Sequence, residues 1–390
     1  MTRHELVSLC SWRLCSTELR NRRRWVASSM TLRRRNLHRM ANKLIQPLFS
    51  GSIDILGDIH GEIDALRDLM AVLGYRADGV HPDGRQLVFI GDLCDRGPDS
   101  PAVLDIVSDF VERGLAQCLF GNHELNLLRE ERKEGNGWYF ESNHDHDKRK
   151  FLESRAIEAA KRPIVRAFLR GLPLGLERED LRLVHAAWDP GSLAELRSSS
   201  LDVLELYDTY HCRSLRLGND TGLAGQAQVE ERSIGGRFID PESAVPFMPA
   251  MAALDALYQD GNPVRIATSG LERVAHQPFF ASGKWRFVNR YPWWDAYHED
   301  IPVMMGHYWR WPNPAVREMF SRGEADLFEA FQPNEWFGAK RNVFCVDFSV
   351  GARYKERARG VASQFQCRLG AVRWPERELV MDDATRLPLK

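Results

Sequence analysis

Three polar clusters follow three short apolar segments in the first third of the chain. Residues 57–61 read Gly-Asp-Ile-His-Gly, residues 91–97 read Gly-Asp-Leu-Cys-Asp-Arg-Gly, and residues 121–124 read Gly-Asn-His-Glu. Carboxylate, amide and imidazole groups suit divalent transition-metal ions, and glycine lets the backbone pass close to an ion or a phosphate. His185 and His307 stand beside later apolar segments and would complete the set of ligands. The spacing therefore predicts a centre for two ions.

The apolar segments before the clusters are predicted strands, and the segments after them are predicted helices. The predicted pairs are 53–56 with 63–73, 87–90 with a helix from Ser100, and 118–120 with 125–132. Three such units imply parallel strands, and ligands bind beyond the carboxyl ends of parallel strands. We expect an α/β fold, in part α+β, in which layers of mixed β-sheets are flanked by helices.

The rest of the chain is less regular. Residues 134–150 predict a surface loop, residues 156–172 predict an amphipathic helix, and residues 191–300 are rich in Trp, Tyr, Gly and Pro with only short periodic pieces. The last segment is interpreted as an elaboration, an insertion or cap over the core, and not as an independent domain. Further strands are predicted at 181–184, 303–305, 343–346, 368–372 and 378–381.

Composition limits the class of protein. The 390 residues are 44% hydrophobic and 27% charged, which supports a large core and excludes disorder throughout. No segment reaches the roughly 18 uninterrupted apolar residues of a membrane span, so we expect no membrane partner. Seven cysteines without a C-x-x-C pair predict free thiols in a reducing compartment, and we expect a cytoplasmic protein.

The N-terminal segment is strongly basic. Residues 1–50 carry eleven Lys and Arg against two Glu, so the remainder is acidic and is not expected to bind nucleic acid. Residues 1–48 are predicted to be a disordered extension that precedes a domain at 49–390. An organellar transit peptide, a tail that binds an anionic partner, and translation from Met30 or Met40 remain alternatives.

The three clusters resemble the signatures of the calcineurin-like metallophosphoesterases, in particular the PPP-type phosphatases: GD-x-HG, GD-x-x-DRG and GNHE, followed by two separate His ligands. Residues 172–190 resemble the fourth block, with alanines at 186–187 where the family usually has glycines, and residues 306–308 resemble the fifth. The resemblance covers residues 52–190 and 300–352.

This resemblance implies a role for each motif residue. The implied metal ligands are Asp58 and His60 for the first ion, Asp92 for the bridge, and Asn122, His185 and His307 for the second ion. The implied catalytic residues are His123 as proton donor to the leaving oxygen, Asp95 as the carboxylate that orients it, and Arg96 as a contact of the phosphate. The implied cofactors are two divalent ions, first of all Mn²⁺, with Fe or Zn²⁺ as alternatives, which activate a shared water.

The family also has a second phosphate-binding arginine. Arg232, Arg237 and Arg273 lie in the corresponding stretch, and no motif selects one of them.

Two further features have a functional and a structural interpretation. The His-Asp-His-Asp sequence at 144–147 could bind a third metal ion, but we expect a solvated loop. The aromatic cluster could stack a nucleotide base, but packing is the commoner role; its members are Trp285, Tyr291, Trp293, Trp294 and Tyr297.

Differences between this sequence and the branches of the family bear on the substrate, which we expect to be a phosphoprotein or a nucleotide. No Ser-Ala-Pro-Asn-Tyr block follows His307, and residues 97–100 and 123–128 look like the bacterial branch that contains the symmetrical bis(5′-nucleosyl)-tetraphosphatases. Those enzymes commonly lack the acid found here at Asp95, and an alkoxide leaving group needs a proton more than a nucleoside diphosphate does. The expected function is therefore hydrolysis of phosphate monoesters, such as phosphoserine or phosphothreonine in proteins. Alternatives are a dinucleoside polyphosphate hydrolase and a non-catalytic scaffold.

Overall fold

The computed structural model describes residues 43–390 apart from 141–146, 148, 152–153, 282, 314–315 and 317–325. Its strands are β1 (Ile45–Pro47), β2 (Ile53–Leu56), β3 (Gln86–Phe89), β4 (Ala116–Cys118), β5 (Gly175–Arg178), β6 (Leu181–Val184), β7 (Glu272–Ala281), β8 (Lys284–Arg290), β9 (Val303–Met305), β10 (Val343–Cys345), β11 (Gly370–Trp374), β12 (Glu378–Met381) and β13 (Arg386–Pro388). Its α-helices are α1 (Ile63–Leu73), α2 (Ser100–Glu112), α3 (Asn122–Leu128), α4 (Arg162–Arg170), α5 (Pro190–Ser198), α6 (Val203–Asp220), α7 (Leu223–Ile234), α8 (Pro249–Asp260), α9 (Pro263–Ser269) and α10 (Arg353–Ala358).

Two mixed sheets carry the fold. The first has the order β13-β12-β11-β2-β3-β4, in which β2, β3 and β4 are parallel. The second has the order β1-β5-β6-β9-β10, in which β6, β9 and β10 are parallel. The first two predicted pairs of strand and helix are confirmed as β2-α1 and β3-α2. The third pair exists as β4-α3, but β4 covers 116–118 and not 118–120, and α3 covers 122–128 and not 125–132. The fold is thus the predicted mixed α/β arrangement of sheets and helices.

The alternation of side chains along the strands explains why the sheets stack. Ile53 and Ile55 of β2 share a buried apolar cluster with Leu183 of β6 and Phe344 of β10. Leu56 belongs to a second cluster, which includes the apolar faces of α1 and α2. Because successive residues of a strand point to opposite faces, both faces of the central strands are covered. This packing fixes the carboxyl ends of the parallel strands of both sheets.

The segment 191–300 is more regular than the sequence predicts. It contains α5 to α9 and the antiparallel hairpin of β7 and β8. Ala227, Met251 and Phe287 belong to a separate apolar cluster of this segment, whereas Val264 belongs to the main core. The expectation of only short periodic pieces is wrong, because α6 has 18 residues whose many polar side chains obscure its narrow buried face.

Two boundaries also differ from the predictions. β1 lies before residue 49, where the sequence predicts the domain to begin, and it pairs in parallel with β5. Residues 1–42 of the predicted extension lie outside the described residues. The helix predicted at 156–172 is confined to α4, because Pro163 suits its first turn and a 3-10 turn at Ala159–Lys161 precedes it.

Two expectations from composition can be compared with the described part of the chain. No helix there is long and apolar enough to cross a membrane. The described cysteines are free thiols, as predicted: Cys94, Cys118, Cys212, Cys345 and Cys367.

We predict that β1 is needed for stability. Leu44, Ile45 and Leu48 are 5%, 8% and 5% exposed, and burial of one such side chain contributes about 1.5–3 kcal/mol. A chain that begins at residue 49 should therefore have a free energy of unfolding at least about 3 kcal/mol lower than a chain that begins at residue 43. Urea denaturation of the two truncated proteins measures the difference. Equal values would show that β1 contributes nothing to the core.

Candidate metal centre

The carboxyl ends of the parallel strands in the two sheets meet at one place. Asp58, Asp92 and Asn122 follow β2, β3 and β4, while His185 and His307 follow β6 and β9. Backbone hydrogen bonds connect the loops, since His60 N donates to Asp92 O at 2.9 Å and Gly306 N donates to His185 O at 2.9 Å. The structure therefore brings together all six of the predicted metal ligands.

Asp92 lies between two groups of side chains. Its Oδ2 is 3.9 Å from Nε2 of His60 and 3.9 Å from Nε2 of His123, and its Oδ1 is 3.4 Å from Nε2 of His185. Two sets of potential ligand atoms share this carboxylate: His60 and His123 on one side, and His185 and His307 on the other. A carboxylate placed in this way can bridge two ions.

Asn122 and Asp58 occupy the edges of these two groups. The Asn122 side-chain amide is 2.8 Å from His307 Nδ1 and 3.3 Å from His185 Nε2. The Asp58 carboxylate is 4.0 Å from His60 Nε2 and accepts hydrogen bonds from the backbone N of His307. Asp58 is thus within reach of the first position, although His123 lies as near to Asp92 as His60 does.

Backbone carbonyl groups orient two of the histidine rings. Nδ1 of His60 is 3.1 Å from Cys94 O, and Nδ1 of His185 is 2.8 Å from Ile90 O. A carbonyl only accepts, so each Nδ1 carries the proton and donates it. Each Nε2 is then the ring atom that faces the centre: that of His185 lies 3.4 Å from Asp92 Oδ1, and that of His60 lies 2.8 Å from Arg96 Nη1 and 3.9 Å from Asp92 Oδ2.

The backbone of the centre is strained. Residues with φ in the left-handed region, other than glycine, include His60 (50°), Asp92 (49°), Asp95 (74°), Arg96 (73°) and His307 (68°). Each such residue costs about 1–3 kcal/mol and persists only where its surroundings enforce it. The Glu124 carboxylate provides part of that enforcement, because it accepts hydrogen bonds from the backbone N of Asp92 and of Gly121 at 2.9 and 3.0 Å.

The buried charges favour a cation. Burial raises the pKa of Asp58 well above its usual range, and the nearby Asp347 adds to the effect. Burial also opposes the charge of Asp92, but His185 and His123 outweigh it and hold the Asp92 pKa well below its usual value. Burial opposes the charge of His185 as well, but the Asp92 charge raises the His185 pKa to about 10. Carboxylates mixed with imidazole fit an ion such as Mn²⁺, Fe or Zn²⁺.

The three predicted catalytic residues lie beside the first group. His123 Nδ1 donates to Asp95 Oδ2 at 2.5 Å. Arg96 directs Nη1 to Nε2 of His60 at 2.8 Å and Nη2 to Nε2 of His123 at 3.0 Å. The Arg96 guanidinium also lies 4.9 Å from the centre of the Trp309 ring. The proton-transfer pair of Asp95 and His123 thus lies next to the planar cation of Arg96.

A different arginine approaches the second group. Burial and the charge of Arg290 lower the pKa of His307, and the Arg290 guanidinium lies 5.7 Å from the Tyr308 ring. Of the three predicted arginines, Arg237 lies in the 3-10 turn after α7 and donates to backbone carbonyls at the end of α7, and Arg273 lies 3.3 Å from the Tyr291 ring.

The third predicted arginine, Arg232, is exposed on α7. Sequence reasoning missed Arg290 because its place depends on the β7-β8 hairpin; its position at the end of a strand was the available signal.

The aromatic cluster is mainly core. Trp293, Trp294 and Tyr297 are buried in the main apolar cluster, so the packing interpretation is correct for them. Trp285 and Tyr291 are half-buried. A cavity of about 360 Å³ remains between several of these rings, lined by Trp188, Tyr291, Trp293 and Tyr297 among others.

The segment predicted as a surface loop is partly buried. Residues 135–139 are buried, which contradicts the prediction for this part of 134–150. Of the His-Asp-His-Asp sequence, residues 144–146 lie outside the described residues, and Asp147 is buried, not solvated. The Asp147 carboxylate accepts hydrogen bonds from the backbone N of Gly135 and Gly137.

The chain is similar to known phosphoesterases over part of its length. Residues 51–180 match the family model of the calcineurin-like phosphoesterases. The chain is 48% identical over 80 residues to the asymmetrical bis(5′-nucleosyl)-tetraphosphatase PrpE of Geobacillus thermodenitrificans, which covers 20% of this chain and 33% of that protein. It is 44% identical over 79 residues to PrpE of Bacillus subtilis, with 20% and 32% covered.

The chain thus matches about a third of the length of these curated relatives. They carry the name asymmetrical, whereas the sequence resemblance pointed to the symmetrical enzymes. Among solved structures, the cold-active protein-tyrosine phosphatase of a psychrophile Shewanella sp. is 13% identical, with 89% of this chain and 81% of that chain covered and a TM-score of 0.42.

We predict that Gly306→Ala weakens ion binding. A Cβ atom at this position would lie 2.0 Å from Asp58 Oδ1 and 3.0 Å from Ile90 Cγ2, so the Asp58 carboxylate must move. We expect at least a tenfold loss of Mn²⁺ affinity, which is about 1.4 kcal/mol, in calorimetric titration of metal-depleted protein. Gly225→Ala is the control, because a Cβ atom there would meet nothing within 4 Å. Equal affinity of the two variants would remove Asp58 from the ion-binding set.

Proposed function

We propose that this chain, whose residues 51–180 match the family model of the calcineurin-like phosphoesterases, is a metal-dependent hydrolase of phosphate monoesters and acts on phosphoserine or phosphothreonine in proteins. The observation that carries this proposal is the buried pair of Asp95 and His123, whose 2.5 Å contact lies beside the Asp92 carboxylate. A proton donor in this place serves a leaving group that departs as a strong base.

Asp92 would be shared by two ions. Asp58 and His60 would hold the first, and Asn122, His185 and His307 would hold the second. When bound, such ions supply an activated water and neutralise charge on the phosphoryl oxygens. The two oxygens of Asp92 face different groups of histidines, which supports its role as the bridge.

His123 would give a proton to the leaving oxygen. Its Nδ1 is engaged by Asp95, so Nε2 is the atom that would serve the substrate, and Arg96 Nη2, which lies 3.0 Å from Nε2, would turn to the phosphate. The Asp95 carboxylate selects this ring orientation and stabilises the charged imidazole. The proton moves from Nε2 of His123 to the oxygen of the departing serine or threonine side chain.

Two arginines would hold the phosphate. The fork of Arg96 directs Nη1 to Nε2 of His60 and Nη2 to Nε2 of His123, so it lies beside both the first ion position and the proton donor. Planar forks of this kind bind two oxygens of a phosphate. Arg290, whose guanidinium lies 5.7 Å from the ring of Tyr308 next to His307, would contact the same group.

A second candidate function is hydrolysis of dinucleoside polyphosphates. The names of the curated relatives and the cavity among Trp188, Tyr291, Trp293 and Tyr297 favour it, because aromatic walls stack nucleotide bases. The Asp95–His123 pair favours monoesters, because a nucleoside diphosphate leaves as a weak base and needs little protonation. A non-catalytic scaffold is disfavoured, because the strained backbone at the centre lowers the stability of the fold and a scaffold would have no catalytic use for it.

The proposal predicts a metal-dependent reaction in which His123 acts at the chemical step. Chelated protein should not hydrolyse a phosphoserine peptide, and Mn²⁺ should restore turnover. His123→Asn should keep its ions and lose about 10²–10⁴ in kcat, the usual contribution of general acid catalysis. His276→Asn, an exposed histidine of β7, is the control. Full activity of the chelated protein, or near-normal kcat for His123→Asn, would refute the proposal.

The same preparation decides between the two substrates. We expect the higher kcat/KM for the phosphopeptide when it is compared with diadenosine tetraphosphate. A preference for the tetraphosphate of tenfold or more, about 1.4 kcal/mol in transition-state binding, would establish the second candidate instead.

A further inference from the structure

We propose that Trp138 is a positioning residue that holds Asp95 in the orientation that His123 requires. This inference rests on the proposed function, because it concerns the proton donor of that reaction. Trp138 lies in the segment that the sequence predicted to be a surface loop, yet its side chain is 1% exposed.

Asp95 uses both of its oxygens in hydrogen bonds. Oδ2 accepts from His123 Nδ1 at 2.5 Å, and Oδ1 accepts from Trp138 Nε1 at 2.6 Å. Two short bonds on different oxygens fix the plane of the carboxylate, which a single bond to His123 would leave free to turn. Because Asp95 is fully buried, Trp138 takes the place that water has at an exposed carboxylate.

The chemistry of the indole suits this role. Its N–H donates and cannot accept, so it has one partner and one orientation. It does not exchange its proton with a carboxylate at neutral pH, and it adds no charge to the centre. The negative charge of Asp95 therefore stays directed at the His123 ring, and the proton of Nδ1 stays between Asp95 and His123.

Trp138 is itself held by its neighbours. Its carbonyl oxygen accepts from Ile157 N at 2.9 Å. Asp147 accepts from the backbone N of Gly135 at 3.1 Å and of Gly137 at 2.5 Å, which fixes the turn before the indole.

The turn also reaches Arg96. The carbonyl of Gly135 accepts from Arg96 N at 3.2 Å. Gly135 has φ of 96°, and a Cβ atom there would lie 3.3 Å from Arg96 Cγ, so glycine is required for this close approach. Residues 135–138 thus contact the orienting carboxylate through the indole and the phosphate-binding arginine through the backbone.

The alternative is that Trp138 only fills space. Phenylalanine keeps an aromatic ring and removes the N–H, so Trp138→Phe separates the two roles. Trp374→Phe is a matched control, because Trp374 is 3% exposed and its Nε1 donates to Asp180 Oδ2 at 2.8 Å, a second indole-carboxylate bond that involves neither Asp95 nor His123.

The kinetic test is a series of aryl phosphates of increasing leaving-group basicity, together with the phosphoserine peptide. For Trp138→Phe we expect kcat to fall at least tenfold on the peptide, less than threefold on 4-nitrophenyl phosphate, with KM within twofold of wild type. Trp374→Phe should keep the wild-type ratio between the two substrates. A Trp138→Phe protein with the wild-type ratio, or with an equal loss on every substrate, overturns the proposal.

A second variant guards against a folding defect in the first. Asp147→Ala removes the acceptor of Gly135 N and Gly137 N and leaves the indole in place. We expect the same dependence on the leaving group with a smaller loss. If Asp147→Ala keeps the wild-type ratio of kcat between the two substrates while Trp138→Phe is destabilised, then Trp138 only packs.

An NMR measurement, which does not require turnover, distinguishes failure of this inference from failure of the proposed function. In protein labelled with ¹⁵N-histidine, the Nδ1 proton of His123 should resonate far downfield and be absent in His123→Asn. Trp138→Phe should shift or broaden this resonance, and Trp374→Phe should leave it in place. An unchanged resonance in Trp138→Phe contradicts the inference, whereas wild-type protein without metal-dependent turnover contradicts the proposed function whatever the spectrum shows.

Discussion

The charge of Asp92 organises the histidines of the centre. The carboxylate is 2% exposed, and three imidazole Nε2 atoms lie within 3.9 Å of it. Its charge raises the pKa of His185, and His185 and His123 in turn keep the pKa of Asp92 low against the effect of burial. A buried charge of this kind is tolerated only when it is paired, and the pairs here come from both sheets. The stacking of the sheets is therefore what makes the centre possible.

The fold holds the centre against strain and buried charge. Asp92 itself has φ of 49°, and the backbone on either side of it is tied to Glu124. The apolar contacts between β2 and β10 fix the strand ends, so the left-handed residues after them have no room to relax. Residues with left-handed φ are common at functional sites, because they set side-chain directions that regular strands cannot provide. In this centre the left-handed φ turns His60 and Asp92 towards a common space.

The sequence predicted those features of the molecule that are determined by residues close together along the chain. The strands at 53–56 and 87–90 follow from short apolar runs, and the centre follows from the polar residues immediately after them. Features that depend on distant parts of the chain were missed. The place of Arg290 beside the Tyr308 ring depends on its pairing with Glu272 of β7, and residues 135–139 look like an exposed loop because glycine and charge surround the indole that Asp95 binds. β1 was missed because a three-residue strand has too little periodicity to detect.

Asp92 is proposed to join two ions, and the metal content of the protein tests this role most directly. Wild-type protein equilibrated with excess Mn²⁺ and freed of unbound metal by gel filtration should contain two ions per chain by elemental analysis. Asp92→Asn preserves shape and removes the charge, so it should contain fewer than one ion per chain while its circular dichroism stays that of wild type. A folded Asp92→Asn protein that retains both ions would contradict the account.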